Sequence, residues 1–277
     1  MFRKKVLFYI FLLLFLGACS IDGNNPSSGE KITPFTYEKD THVYEAVKKE
    51  TSPTSTVTSA FVKSSSYTIE SVPITKKDYW VTNPTSESKL DVSVYQPSDT
   101  SKVYPAVILV PGGLGKKDAF LAPYDHEDGE ESIVEKFVSV GFTVLIFSVD
   151  GRGNSEGNED YNGYISQNGL YEMYRFLKDY EHVDKTNIGI VSYSYGVAMA
   201  SGMLGRYQPE LVYYIEWEGP VDRLSIKCDM DKGVVKEGIT CDDEDYWVER
   251  EAMRFAPYFA VDHFFVVLHM LKNLSCL

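Results

Sequence analysis

From Tyr67 onward the chain breaks into short apolar runs separated by turn residues. Tyr67–Ile74 reads as a strand. Leu90–Tyr95 alternates apolar and polar positions, the period of a half-buried strand. Tyr104–Val110 is continuously apolar, as expected for a strand covered on both faces, and Phe142–Phe147, Asn187–Val191 and Leu211–Ile215 repeat that pattern. Helical spacing falls between them. Ser132–Val140 places Ile133, Val134, Phe137 and Val138 on one face, with Glu130 and Glu131 at its positive end and Gly141 as its stop. Leu170–Tyr180 is a second helix, and Tyr195–Arg206, rich in small residues, a third. Strand and helix therefore alternate with short links. Parallel strands need crossovers and helices supply them, so the pattern predicts an α/β fold with a mainly parallel sheet covered by helices. The earliest strands are expected at an antiparallel edge.

Composition agrees with a packed domain. Of 277 residues 44% are hydrophobic and 24% charged, which excludes wholesale disorder, collagen-like repetition and a polytopic membrane protein. The 40 acids against 27 Lys and Arg give a net charge of −13, the wrong sign for gripping a nucleic-acid backbone. The 20 Tyr and 15 Phe suit an aromatic-lined cleft.

The first residues read as an address. Arg3, Lys4 and Lys5 precede the apolar run Val6–Leu16, which is shorter than the roughly 20 residues of a membrane-spanning helix. Leu16-Gly17-Ala18-Cys19 then resembles the bacterial lipobox, in which the cysteine thiol is acylated, with palmitate for example, and becomes the new N-terminus. That resemblance implies a signal peptide over residues 1–18, lipidation at Cys19 and a lipoprotein held in the bacterial cell envelope by its lipid, on the extracytoplasmic side. Residues 19–66 are expected to form a tether and a Ser/Thr-rich low-complexity segment, and residues 67–277 the folded domain, with 219–260 as a lid-like insertion. In an oxidising compartment Cys228 and Cys241 can close a small disulfide loop; metal binding by the pair is the poorer alternative, because no His lies near. Cys276 has no evident partner.

Ser192-Tyr193-Ser194-Tyr195-Gly196 joins a buried strand to the small-residue helix. A nucleophile on so tight a turn needs small residues two before and two after it. The segment resembles the nucleophile elbow G-x-S-x-G of the α/β-hydrolases, with Ser192 replacing the first glycine and Val197 standing where many members carry another. Asp150-Gly-Arg152-Gly153-Asn-Ser155-Glu-Gly157 is similar to the D-x-R-G-x-S-x-G segment of the prolyl-peptidase-like and cocaine-esterase-like branch. The resemblance spans roughly residues 67–220. It implies an α/β-hydrolase fold, Ser194 as nucleophile, and an oxyanion site built from the Tyr195 N–H and a donor at Gly113 or Leu114, in the loop Pro111–Gly115. Losing one such donor typically costs about 3 kcal/mol in the transition state. Asp150 and Arg152 are expected to pin the loop beside the site.

A serine nucleophile needs a base, usually His, oriented by a carboxylate. The family order places the acid and then the His after the serine. Here Asp222 or Glu218 and His269 make the candidate set, although His269 reads first as a tail residue without a role; His263 adjoins Asp262, and adjacent side chains diverge. His42, His126 and His182 precede the nucleophile and read as surface positions. Only Phe264–Leu268 offers a further strand, so the last strands and closing helix are expected to be missing, as in a shortened gene product. The acidic run Asp242–Asp245 reads as solvated surface, not a metal site, and the glycines at 112, 113 and 115 do not form a dinucleotide fingerprint, so no cofactor is implied. The expected activity is cleavage of a small-molecule or peptide ester or amide by acyl transfer. The rival expectation is a catalytically inactive surface lipoprotein of the same fold.

Overall fold

The computed structural model describes residues 47, 49–69, 72–123, 131–228 and 233–267. Chain contacts separate Met1–Val43, wholly outside the described residues, from Tyr44–Leu277, which carries everything below. Cys19, His42, His126, His269 and Cys276 lie outside the described residues.

Eight strands form one sheet: β1 (Ser59–Ile69), β2 (Val72–Thr82), β3 (Lys89–Pro97), β4 (Tyr104–Val110), β5 (Thr143–Phe147), β6 (Val183–Tyr193), β7 (Leu211–Trp217) and β8 (Val261–Val267). Their order is β1-β2-β3-β5-β4-β6-β7-β8. The pairs from β1 to β5 are antiparallel, and β5, β4, β6, β7 and β8 run parallel. Helix α1 (Ile133–Ser139) links β4 to β5, α2 (Tyr164–Lys178) links β5 to β6, and α3 (Gly196–Tyr207) links β6 to β7. The chain thus leaves β4 for β5 on one side and crosses to β6 on the other. Sites in open α/β sheets form outside the strand C-termini at such a reversal. Here it lies where β4 and β6 end side by side.

The apolar runs fill the core as their patterns predict. Leu90, Val92, Ile108, Val110, Leu145 and Ile190 pack under Met173, Leu177, Met199, Met203 and Leu204 from α2 and α3. On α1 a capping box fixes the start: the Ser132 hydroxyl accepts from the Glu135 N–H, and the Glu135 carboxylate accepts from the Ser132 N–H at 2.8 Å.

Three elements differ from their sequence reading. Tyr67–Ile74 is not one strand; Tyr67 to Ile69 end β1 and Val72 to Ile74 begin β2, and the two pair antiparallel. The sheet also begins at Ser59, inside the segment read as low-complexity, and not at 67. Its serines pair in register, Ser64 with Lys77 and Ser65 with Lys76, on an edge strand exposed almost throughout. Polar residues on both faces suit an edge strand, which has no apolar face to reveal. Helix α2 starts at Tyr164, before Leu170, because its first turns bury polar groups: Gln167 donates from Nε2 to the Glu249 carbonyl at 2.6 Å. Among the described residues no helix is long and apolar enough to cross a membrane.

Candidate active site

Ser194 follows the last residue of β6 and precedes α3 by one residue. Its φ is +48°, the left-handed region that a side chain enters at a cost, and its side chain is exposed. The Ser194 N–H donates to the Trp217 carbonyl at 2.8 Å, and its carbonyl accepts from the Val197 N–H at 3.0 Å, so both peptide groups of the elbow are fixed. The bend needs the glycine two residues on: a Cβ at Gly196 would stand 2.6 Å from the Pro111 carbonyl oxygen. The departure at Ser192 is absorbed, since its hydroxyl is buried and shares a 2.9 Å hydrogen bond with Tyr214. The hydroxyl of Ser194 therefore stands at the N-terminal end of α3, the positive end of the helix.

The loop after β4 runs beside the elbow. A Cβ on Gly112 would lie 2.8 Å from the Ser194 Cβ, so only glycine lets this backbone approach. The Gly115 N–H donates to the Gly112 carbonyl at 2.8 Å, closing a turn with Gly113 at φ +53°. Among the described residues neither the Tyr195 N–H nor the Gly113 N–H enters a backbone hydrogen bond outside the helices and strands.

Buried polar groups hold this frame. Asp150 is fully buried and accepts from Asn83 Nδ2 at 2.8 Å and from the Ser86 hydroxyl. Arg152 grips Glu159 through Nε and Nη2 at 2.7 and 2.8 Å and reaches the Gly115 carbonyl at 3.5 Å. Below the loop, Lys117 is buried against Asp91 and donates to the Ser93 hydroxyl at 3.0 Å.

No imidazole among the described residues joins Ser194. His182 sits at the other end of β6, where its carbonyl accepts from the Tyr104 N–H at 2.8 Å. His263 pairs in register with Tyr213, four residues back along β7 from Trp217, or about 13 Å at strand rise. Asp222 follows β7 in a local turn, where its carboxylate accepts from the Ser225 N–H at 2.6 Å. Glu218 occupies a left-handed position at φ +57°, and its N–H donates to the Val267 carbonyl at 3.0 Å. Sequence reading passed over Glu216. It lies buried beneath them on β7, its pKa raised by that burial, and accepts from the Gly219 N–H. Its only sequence signal is an acid in an apolar strand.

A model of the X-Pro dipeptidyl-peptidase (S15) family matches residues 87–254, more than half of the chain. The chain belongs to that family. Solved structures agree on the fold. Acetyl xylan esterase 1 from Thermoanaerobacterium sp. JW/SL YS485 superimposes with a TM-score of 0.55 at 12% identity, covering 76% of this chain and 72% of that one. Acetyl xylan esterase from Paenibacillus sp. R4 gives the same score and coverage at 14% identity. A protein from Bacteroides fragilis NCTC 9343 described as a putative acetyl xylan esterase gives a TM-score of 0.52 at 14% identity, covering 76% of this chain and 62% of that one. No curated protein sequence matches. The fold is that of an α/β-hydrolase.

In this S15-family chain the segment after β7 packs over the elbow. Tyr195 and Ala198 share a buried cluster with Ile226, Cys228, Tyr246 and Trp247, and a Cβ on Gly113 would meet Val234 at 3.2 Å. Cys228 and Cys241 are disulfide-bonded, with Cα atoms 5.2 Å apart. The helical parts of this segment are two single turns, α4 (Glu244–Trp247) and α5 (Ala252–Phe255). Arg223 and Arg254 both clamp Glu251, at 2.7 Å each, and both also reach Glu244. Burial alone raises the Glu251 pKa, but the hydrogen bonds from Arg223 and Arg254 outweigh it and hold the carboxyl below its ordinary range. A cavity of about 640 Å³ opens along this segment, lined by Asp160, Asp242, Asp243, Glu249 and Arg250 among others. On the other side of Ser194, Tyr193 stacks on Trp217 at 5.7 Å and meets Phe120 at 5.3 Å, an aromatic flank to the site. Among the described residues no group of three or more His, Cys, Asp or Glu side chains is placed to hold a metal ion.

Proposed function

We propose that the protein is a serine hydrolase that cleaves a small ester or a peptide amide by acyl transfer. One observation carries this reading: Ser194 is exposed, in a left-handed conformation, on the strand-to-helix bend where β4 and β6 end. Its hydroxyl attacks the carbonyl carbon. The carbonyl oxygen, as it becomes an oxyanion, takes hydrogen bonds from the Tyr195 N–H and the Gly113 region. The leaving alcohol or amine takes up a proton, and water then releases the acyl group. His269, with Asp222 or Glu218, is the proposed source of the base. The family's name points to X-Pro peptides as one substrate class, and the two acetyl xylan esterases point to small acyl esters as the other. The pattern of residues 1–19 supports an extracytoplasmic lipoprotein anchored through Cys19.

The test is turnover of a 4-nitrophenyl ester and of an X-Pro 4-nitroanilide. The reading expects turnover of at least one by the wild type and none by Ser194→Ala; equal turnover by both proteins overturns it. A second reading, an inactive member of the fold with a binding role, is favoured by the distance of His182 and His263 from Ser194. It expects a folded protein that turns over neither substrate.

A further inference from the structure

The loop from Glu159 to Asn162 runs between the oxyanion loop and the nucleophile helix, and nothing in its sequence marks it. Tyr161 and Asn162 are consecutive left-handed residues, at φ +52° and +67°. Two such residues in a row store strain unless the surroundings demand them. Asn162 is fully buried. Its Nδ2 donates to the Tyr195 carbonyl at 2.9 Å, and its Oδ1 accepts from Arg152 Nη2 at 2.9 Å. The amide orientation is fixed by its partners, because a carbonyl only accepts and a guanidinium only donates. Arg152, itself buried, reaches on to the Gly115 carbonyl at 3.5 Å. One amide and one guanidinium thus connect the peptide after the nucleophile to the loop that faces it. From the far side Arg250 holds the same segment, donating to the Tyr161 carbonyl at 3.0 Å and the Asp160 carbonyl at 2.6 Å.

We propose that Asn162 is a positioning residue that sets the spacing of the two halves of the oxyanion site, the elbow directly and the Gly113 loop through Arg152. The inference rests on Ser194 being the nucleophile. Asn162 touches no reacting atom. It fixes the Tyr195 carbonyl, and with it the first turn of α3, whose leading N–H is one of the two donors. Misplacing such a donor by about 1 Å can cost on the order of 100-fold in rate.

Two variants separate positioning from a purely structural role. Asn162→Asp keeps the shape and the acceptor for Arg152 but replaces the donor to Tyr195 by a second acceptor. Asn162→Gly removes the amide while suiting the left-handed backbone, so the turn itself is preserved. The readout is the rate at which a fluorophosphonate probe, whose phosphonyl oxygen occupies the oxyanion site, modifies Ser194, measured beside the urea midpoint. Expected are variants that stay folded without urea, with midpoints lowered by loss of a buried hydrogen-bonding amide, and a maximal modification rate of the folded protein about 10- to 100-fold lower in both, with the half-saturating probe concentration unchanged. If one variant unfolds, the other decides. A folded Asn162→Gly protein that reacts at the wild-type rate overturns the inference alone. A wild type that does not react overturns the assignment of Ser194, and the inference with it.

Discussion

Ser194 carries a backbone penalty, at φ +48°, in a bend whose N–H and carbonyl are both hydrogen-bonded. A non-glycine residue held in the left-handed region costs on the order of 1 kcal/mol, and such costs persist where function exploits them. Substituting Ser194→Gly should therefore raise stability by about 1 kcal/mol in urea melts while abolishing turnover. A variant that is less stable than the wild type would show that the hydroxyl serves the fold. The neighbouring residues explain why this position was legible without a structure. Gly196 and Gly112 are dictated by approach distances of 2.6 and 2.8 Å, and a sequence must display that constraint as glycine. Asn162 was illegible for the converse reason. A buried amide linking Arg152 to the carbonyl of Tyr195, just ahead of α3, follows no period and no short motif.

At the scale of elements, the runs that bury apolar side chains were read correctly and the polar ones were not. β4, β5 and the second half of β6 announce themselves as apolar stretches, whereas the first half of β6 is polar, β1 is a serine-rich edge strand and the start of α2 buries Ser166 and Gln167. The segment over the elbow belongs to the second kind, since charge holds much of it. Glu251 is only 3% exposed and accepts from two arginines. Its folded pKa is lowered, so its contribution is fully present above the ordinary glutamate value of about 4.3 and is lost as pH falls through the lowered value. Replacing Glu251→Gln leaves Arg223 and Arg254 poorly paired and should cost about 3 kcal/mol at neutral pH. Urea midpoints measured from pH 7 down to about 3 should show a shallower acid limb in the variant than in the wild type. Parallel limbs would remove Glu251 as the group that holds this segment.

For the whole molecule, the fold class followed from alternation of strand and helix, and three motifs pointed to the C-terminal ends of the strands; that β4 and β6 end side by side there came only with the strand order. The base did not follow, because neither His182 nor His263 is brought to Ser194 and His269 lies outside the described residues. The proposed anchor belongs to this scale as well. Cys19→Ala should move the protein from the membrane fraction to the soluble fraction and remove metabolic labelling by palmitate; unchanged membrane association would show that something other than the lipid holds it.

The account depends above all on an activated Ser194. Fluorophosphonate treatment of the folded protein, followed by mass spectrometry of its peptides, reads this directly. The account predicts one phosphonyl adduct, on Ser194, absent from Ser194→Ala; an unmodified Ser194 in a folded wild type, or an adduct that persists in Ser194→Ala, would contradict it.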